Sequence, residues 1–146
     1  MPTKAKIKIE DDSELRTQLD VEYEYASQVE LCRFALLLAE HILTLVRYEN
    51  MDDPVIKNGY VINRKWQIGD ARMHDVRQAG LEIHRKAKAC EDIIVQTALR
   101  TVGQAVATGH MREHAMVASD YAIKVVNLIY PRKLQVQVGH LLVEMQ

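Results

Sequence analysis

The sequence predicts an all-α fold: five or six helices packed as a bundle or a short αα-superhelix around one apolar central helix. Three observations predict it. First, residues 31–46, LCRFALLLAEHILTLV, are apolar except at Arg33, Glu40, His41 and Thr44. Wound as a helix, Cys32, Ala35, Ala39, Ile42 and Val46 form one seam, Leu31, Leu38 and Leu45 a second, and Leu36 and Leu43 a third. A helix that is apolar on most sides must be covered on most sides, so this rod, extended to about 24–49, is expected at the centre. Second, later stretches carry single seams at spacings of three and four, as a surface helix does. Third, short clusters of Asp, Gly and Pro separate these stretches.

In chain order, residues 4–10, KAKIKIE, alternate charged and apolar. That is a strand period, and it predicts an edge strand or an extended arm. Asp11, Asp12 and Ser13 then offer caps for a short helix with Leu15 and Leu19 on its apolar edge. The central rod follows, from near 21–26 to about 48–51. Asp52-Asp53-Pro54 punctuates the chain: an Asp caps, and proline suits a first turn. The next helix, about 54–67, has Val55, Ile56, Val61, Ile62 and Trp66 on its expected buried side. Gly59 weakens it by about 1 kcal/mol relative to alanine. Gly69 stops it and Asp70 is a candidate cap. Residues 71–90 carry the seam Met73, Val76, Gly80, Ile83, Ala87, Cys90, with Arg72, Arg77, Arg85, Lys86 and Lys88 mostly off it. Glu91 and Asp92 open a helix with seam Val95, Ala98 or Leu99, Val102 and Val106. The last long helix runs from about 110–112 to 130, with seam Met111, Ala115, Ala118, Ala122, Val125, Ile129, and Pro131 stops it. Residues 134–138, LQVQV, alternate like a strand, whereas Leu134, Val138, Leu141, Leu142 and Met145 fit a helix. A two-stranded pairing of 4–10 with 134–138, within or between chains, is one expectation, and its exposed edge would favour a homodimer.

A chain of 146 residues is expected to form one domain: an arm at 1–10, a helical domain at 11–130 and a tail at 131–146. Hydrophobic content of 48% and charged content of 27% are those of a globular protein. A net charge of −1 supplies neither the electrostatic footprint of a nucleic-acid binder nor a polybasic membrane patch. The 31–46 run is shorter than the roughly 20 residues a membrane span needs, and it carries charges. Cys32 and Cys90 sit on apolar seams as packed thiols, which suits a reducing compartment. MPTKAKIKIE lacks the apolar core of a signal peptide, so the cytoplasm is the expected location.

The first stretch with chemical potential is 103–121, GQAVATGHMREHAMVASDY. Its small residues let two helix backbones approach, and close packing is the leading reading. His110 and His114 are four apart and share a helix face. Two such imidazoles bind a divalent transition metal if a third ligand converges. The zinc-protease pattern needs Glu directly after the first His, and H-M-R-E-H puts Glu113 elsewhere, so a hydrogen bond between helices is the plainer role. The second is Glu40-His41 in the central rod. A carboxylate there needs a partner if buried; Arg33, His84 and His110 are candidates, and the plainer reading puts Glu40 at a polar edge. Together Glu40, His41, His84, His110 and His114 form a candidate polar cluster, with no catalytic residue assigned. The third is Trp66 with Gly69 and Arg72, a core plug or, if exposed, a partner hot spot. No nucleophile context, phosphate loop or C-x-x-C is legible.

The run 103–111, GQAVATGHM, then His114-Ala115 and Tyr121-Ala122-Ile123-Lys124, resembles the signature of a family of small helical bacterial and archaeal immunity proteins of polymorphic-toxin systems. Further matching positions are Cys32, Ala35, Glu40, His41, Leu43, Asp53-Pro54, Trp66, Gly69, Ala71-Arg72 and His84. The likeness spans about 15–126. It departs from the alanine-rich pattern at Thr101-Val102 and Ile93-Ile94-Val95. The resemblance implies a non-enzymatic protein with no cofactor that neutralises a toxin by contact. Trp66, Arg72, Asp52 and Asp53, with Tyr23 and Tyr25, are then the candidate partner contacts. Two other readings stand beside it: a metal- or small-molecule-binding protein, in which an enzyme is not excluded, using the histidine cluster, and a homo-oligomeric structural domain.

Overall fold

The computed structural model describes residues 2–131 and 143–144. Six helices follow one another with short joins: α1 Ser13–Tyr25, α2 Gln28–Leu45, α3 Pro54–Gln67, α4 Met73–Lys88, α5 Ile93–Ala107 and α6 His114–Ile129. Among the described residues there is no strand. The fold is all-α, and α3 spans the residues the Pro54 signal predicts.

Of the two forms expected of the arm, edge strand or extended arm, no strand forms and the arm lies along the bundle. Its alternation is nonetheless real, because Ala5, Ile7 and Ile9 are half-buried while Lys4, Lys6 and Lys8 face solvent. Side chains take the place of a partner strand. The Lys6 N–H donates to Asp120 Oδ2 at 2.7 Å, and Glu10 is clamped by Asn127, which accepts from its N–H at 2.8 Å and donates to its carbonyl at 3.3 Å. Thr3 bonds Asp20 through its N–H at 2.8 Å and its hydroxyl. The second half of the proposed pairing, 134–138, lies outside the described residues.

The rod expected over 24–49 is α2, 28–45, and the short helix expected before it is α1, which runs on to Tyr25. Asp12 caps α1 by accepting from the Leu15 N–H at 2.9 Å. The chain is extended at Ala26, and Ser27 and Glu30 then close a reciprocal capping box that starts α2. At its other end α2 stops in a Schellman turn: Tyr48 N–H reaches Leu43 O at 3.0 Å, and Arg47 holds the left-handed conformation at φ 54°. Gly69 at φ 84° does the same for α3, with Asp70 N–H on Lys65 O at 2.8 Å. Here glycine is the residue the backbone asks for. The cap of α4 is not Asp70; Asp75 instead accepts from the Arg72 N–H at 3.0 Å.

The most enclosed helix is α5, not α2. It packs against α2, α3, α4 and α6, and Ala98, Leu99, Val102, Ala105 and Val106 lie in the core. Its threonines Thr97 and Thr101 and the C-cap Thr108 are also buried, each donating its hydroxyl to the carbonyl four residues back. The α2 rod buries Leu31, Cys32, Ala35, Leu36, Ala39, Ile42 and Leu43, but leaves Phe34, Leu37 and Leu45 exposed. Three apolar rows are more than its neighbours cover.

Glycines set the distances between helices. A Cβ on Gly59 would lie 2.7 Å from Ile83 Cδ1 and 3.0 Å from Val106 Cγ2, and one on Gly80 would meet Gly103 O at 3.2 Å. Thus Gly59 costs helix propensity but admits α4 and α5 to α3. Val61 of α3 and Met73 of α4, both expected inside, are exposed. Asn63 is buried in their place and donates to Val106 O at 2.8 Å.

Candidate functional site

The close crossing of α4 and α5 at Gly80 and Gly103 seats His84. A Cβ on Gly103 would fall within 2.7–2.9 Å of the His84 ring atoms, so this glycine makes the space for the imidazole. The ring faces Gln104, whose amide lies 3.3 Å from His84 Nε2 on one side and 2.7 Å from His114 Nδ1 on the other. His110, in the turn before α6, stacks beside His114 with ring centroids 5.7 Å apart. The result is a line of polar groups, His84, Gln104, His114 and His110, crossing from α4 through α5 to α6.

The amide at its middle dictates the hydrogen placement. If Gln104 donates to His84 and accepts from His114, both imidazoles carry their proton on Nδ1; the flipped amide reverses both roles. In either case His84 Nδ1 is buried without a hydrogen-bond partner. Burial, then Arg100 and His114, pushes the His84 pKa down to about 4. Burial and His110 also lower His114. His84 is therefore neutral at physiological pH. A proton placed on His84 is repelled, not relayed.

The structure brings together His84, His110 and His114 and leaves Glu40 and His41 out. Both of these lie on the exposed side of α2, and Glu40 pairs across a shallow cleft with Arg64 of α3 at 3.5 Å. The helical phase explains it: Ala39 and Ile42 take the core-facing positions, so Glu40 and His41 turn outward. Among the described residues, no group of three or more His, Cys, Asp or Glu side chains is placed to hold a metal ion.

The candidate partner contacts also separate. Trp66 is half-buried against the core, and its indole covers Gly109, where a Cβ would meet it at 3.3 Å. It is the plug reading of that residue. Asp53 is 2% exposed, caps α3 through the Val55 N–H at 2.8 Å and pairs with Lys86. Burial would raise its carboxyl, but Lys86 and the backbone hold it below its ordinary value. Asp53 is thus an internal link between α3 and α4, not a docking residue. Asp52, paired with Lys57 at 3.1 Å, and Arg72 are exposed, as is Tyr25, while Tyr23 is half-buried.

Three residues that the sequence patterns do not single out, Arg16, Asp120 and Arg112, do more of the work. Arg16 is 2% exposed and donates to Asp120 Oδ1 at 2.7 Å and to Asp11 Oδ2 at 2.8 Å. Asp120, 1% exposed, spends its other oxygen on the Lys6 N–H. Arg112 lies over the Tyr23 ring at 4.3 Å and donates to the carbonyls of Tyr23 and Ala26, the latter at 2.9 Å. A guanidinium therefore satisfies the C-terminal end of α1. The signal for Asp120 was present: it is a lone carboxylate among the small and apolar residues of α6.

Between these two anchors α1 stands off the bundle. It leaves an apolar trough of about 670 Å³ against α2 and α6, walled by Leu15, Leu19, Phe34, Leu38, Ile123 and Val126 among others.

Comparison with known proteins adds one finding. A family model described as Imm-5 like putative immunity protein matches residues 22–141, most of the chain. No curated protein and no solved structure matches it.

Proposed function

The chain belongs to the Imm-5 like immunity protein family, and from that premise we propose that it is a non-enzymatic binding protein that neutralises a partner toxin by direct contact. The family match carries this reading. The architecture supports it, because its buried carboxylates and buried thiol are spent on the fold. Asp53 ties α3 to α4, Asp120 is saturated by Arg16 and Lys6, and Cys32 is buried with its thiol pushed up to about 11. A thiol so placed is a poor nucleophile. Among the described residues no helix is long and apolar enough to cross a membrane; the reading places the protein in the cytoplasm beside its target.

The test is co-expression with the product of the adjacent gene. That product alone should arrest growth of a host cell. Co-expression of this chain should restore growth, and the two should co-purify. Arrest that persists at high levels of this chain would overturn the reading.

One observation favours a second reading. His114 Nδ1 is engaged by Gln104, which leaves Nε2 as its open nitrogen, and His110 stands beside it. A ring oriented by a hydrogen bond on its far nitrogen is how metal-binding histidines are held. In this reading the pair binds a transition metal with water completing the shell. Stoichiometric metal in the purified protein that is lost in His114→Ala would support it, and metal-free protein that takes up no added zinc would reject it.

A further inference from the structure

We infer that the trough between α1, α2 and α6 is the surface that receives the partner, and that its occupant is a basic amphipathic helix. The inference rests on the proposed immunity function and assigns it a place on the molecule. Three features of the trough lead to it. Its walls are apolar yet open: Leu15 is 40%, Phe34 42% and Val126 38% exposed, although they face a concave surface. Its shape suits a helix. Phe34, Leu38 and Ile42 form a row two turns long on α2, about 12 Å, with α1 and α6 as flanking walls. A helix carrying apolar residues at every third or fourth position nests in such a channel. Its rim has one sign. Glu10, Asp11 and Asp12 line one end, Asp11 paired with the buried Arg16 and Asp12 capping α1, and among the described residues no lysine or arginine lines it.

The charge decides among occupants. A second copy docked trough to trough would bring the same acids and, among the described residues, no base to meet them. A fatty acid would bring its own carboxylate to the same rim. A helix with lysines or arginines beside its apolar row meets opposite charge there.

The experiment uses the full chain and two fluorescein-labelled model helices of the same leucine pattern, one flanked by lysines and one by glutamates. Fluorescence anisotropy should show the lysine peptide binding at least about tenfold more tightly, with the preference shrinking as salt rises. Val126→Asp and Phe34→Asp should each weaken it about tenfold or more. Both sites are partly exposed, and unchanged circular dichroism and thermal unfolding confirm the fold. Glu10→Lys should erase the preference between peptides. Equal binding of both peptides, binding untouched by Val126→Asp, dodecanoate binding without peptide binding, or a native dimer dissociated by Val126→Asp would each overturn the inference. The two proposals fail separately. Neutralisation that survives Val126→Asp removes the trough and leaves immunity standing; peptide discrimination without neutralisation does the reverse.

Discussion

At the scale of single residues, the structure is held by polar groups in places where sequence patterns expect grease. Arg16 is the clearest case. Coming just after a cap, it reads as a solvated charge, yet it is the buried end of a three-way tie among α1, α6 and the arm. Asp120→Ala would leave that guanidinium buried without its one buried carboxylate partner, at a cost of about 3 kcal/mol; urea unfolding measures it. Nothing in the sequence joins positions 16 and 120, because the contact spans the whole domain. His84 makes the second case. Its pKa of about 4 lies below the ordinary 6.5, so the folded state resists the proton. Its contribution is complete above pH 6.5 and is lost as pH falls from there towards 4. Allowing for the edge of the ring that meets solvent, the loss is about 2 kcal/mol. Urea melts at pH 7.5 and 4.5 should show this extra acid loss in the native chain and not in His84→Gln. Gly103→Ala tests the seat itself. The new methyl has no room beside the ring, and about 1–3 kcal/mol should be lost.

At the scale of elements, the legible parts were those with local signals. Pro54, Gly69, Asp92 and Pro131 mark ends that the structure keeps. The break between α1 and α2 was legible too, since Ser27-Gln28-Val29-Glu30 is a capping box. The periodicity alone puts that break a few residues early, at 21–26, because the apolar run that follows dominates the stretch. Ser27→Ala should cost about 1 kcal/mol in thermal or urea unfolding. The identity of the central helix was not legible. Burial of α5 depends on Thr97, Thr101 and Thr108 satisfying their hydroxyls within the helix, and on Gly59 and Gly103 admitting neighbours. Apolar content ranks α2 higher, and only packing shows that α2 keeps an open side. Arg47 gives a prediction of opposite sign. It holds φ 54° with a side chain, so Arg47→Gly should raise stability by about 0.5–1 kcal/mol, read as a higher urea midpoint.

At the scale of the molecule, a five-helix body is strapped by a terminal helix that stands slightly away from it. Arg16 and Arg112 hold the two ends of α1, and the trough opens between them. Of the sequence-predicted cluster, His84, His110 and His114 meet and Glu40 and His41 do not, because the latter pair turn to the outside of α2. That division follows from helical phase, which a single helix shows only once its covered side is known. The central claim is that this bundle acts by occupying another protein. Titration of the purified adjacent-gene product with this chain, followed by calorimetry and by the product's own activity, tests it most directly. The account predicts a saturable complex of fixed stoichiometry whose formation and loss of toxin activity coincide. Full toxin activity at saturating concentrations of this chain, with no heat of binding, would contradict it.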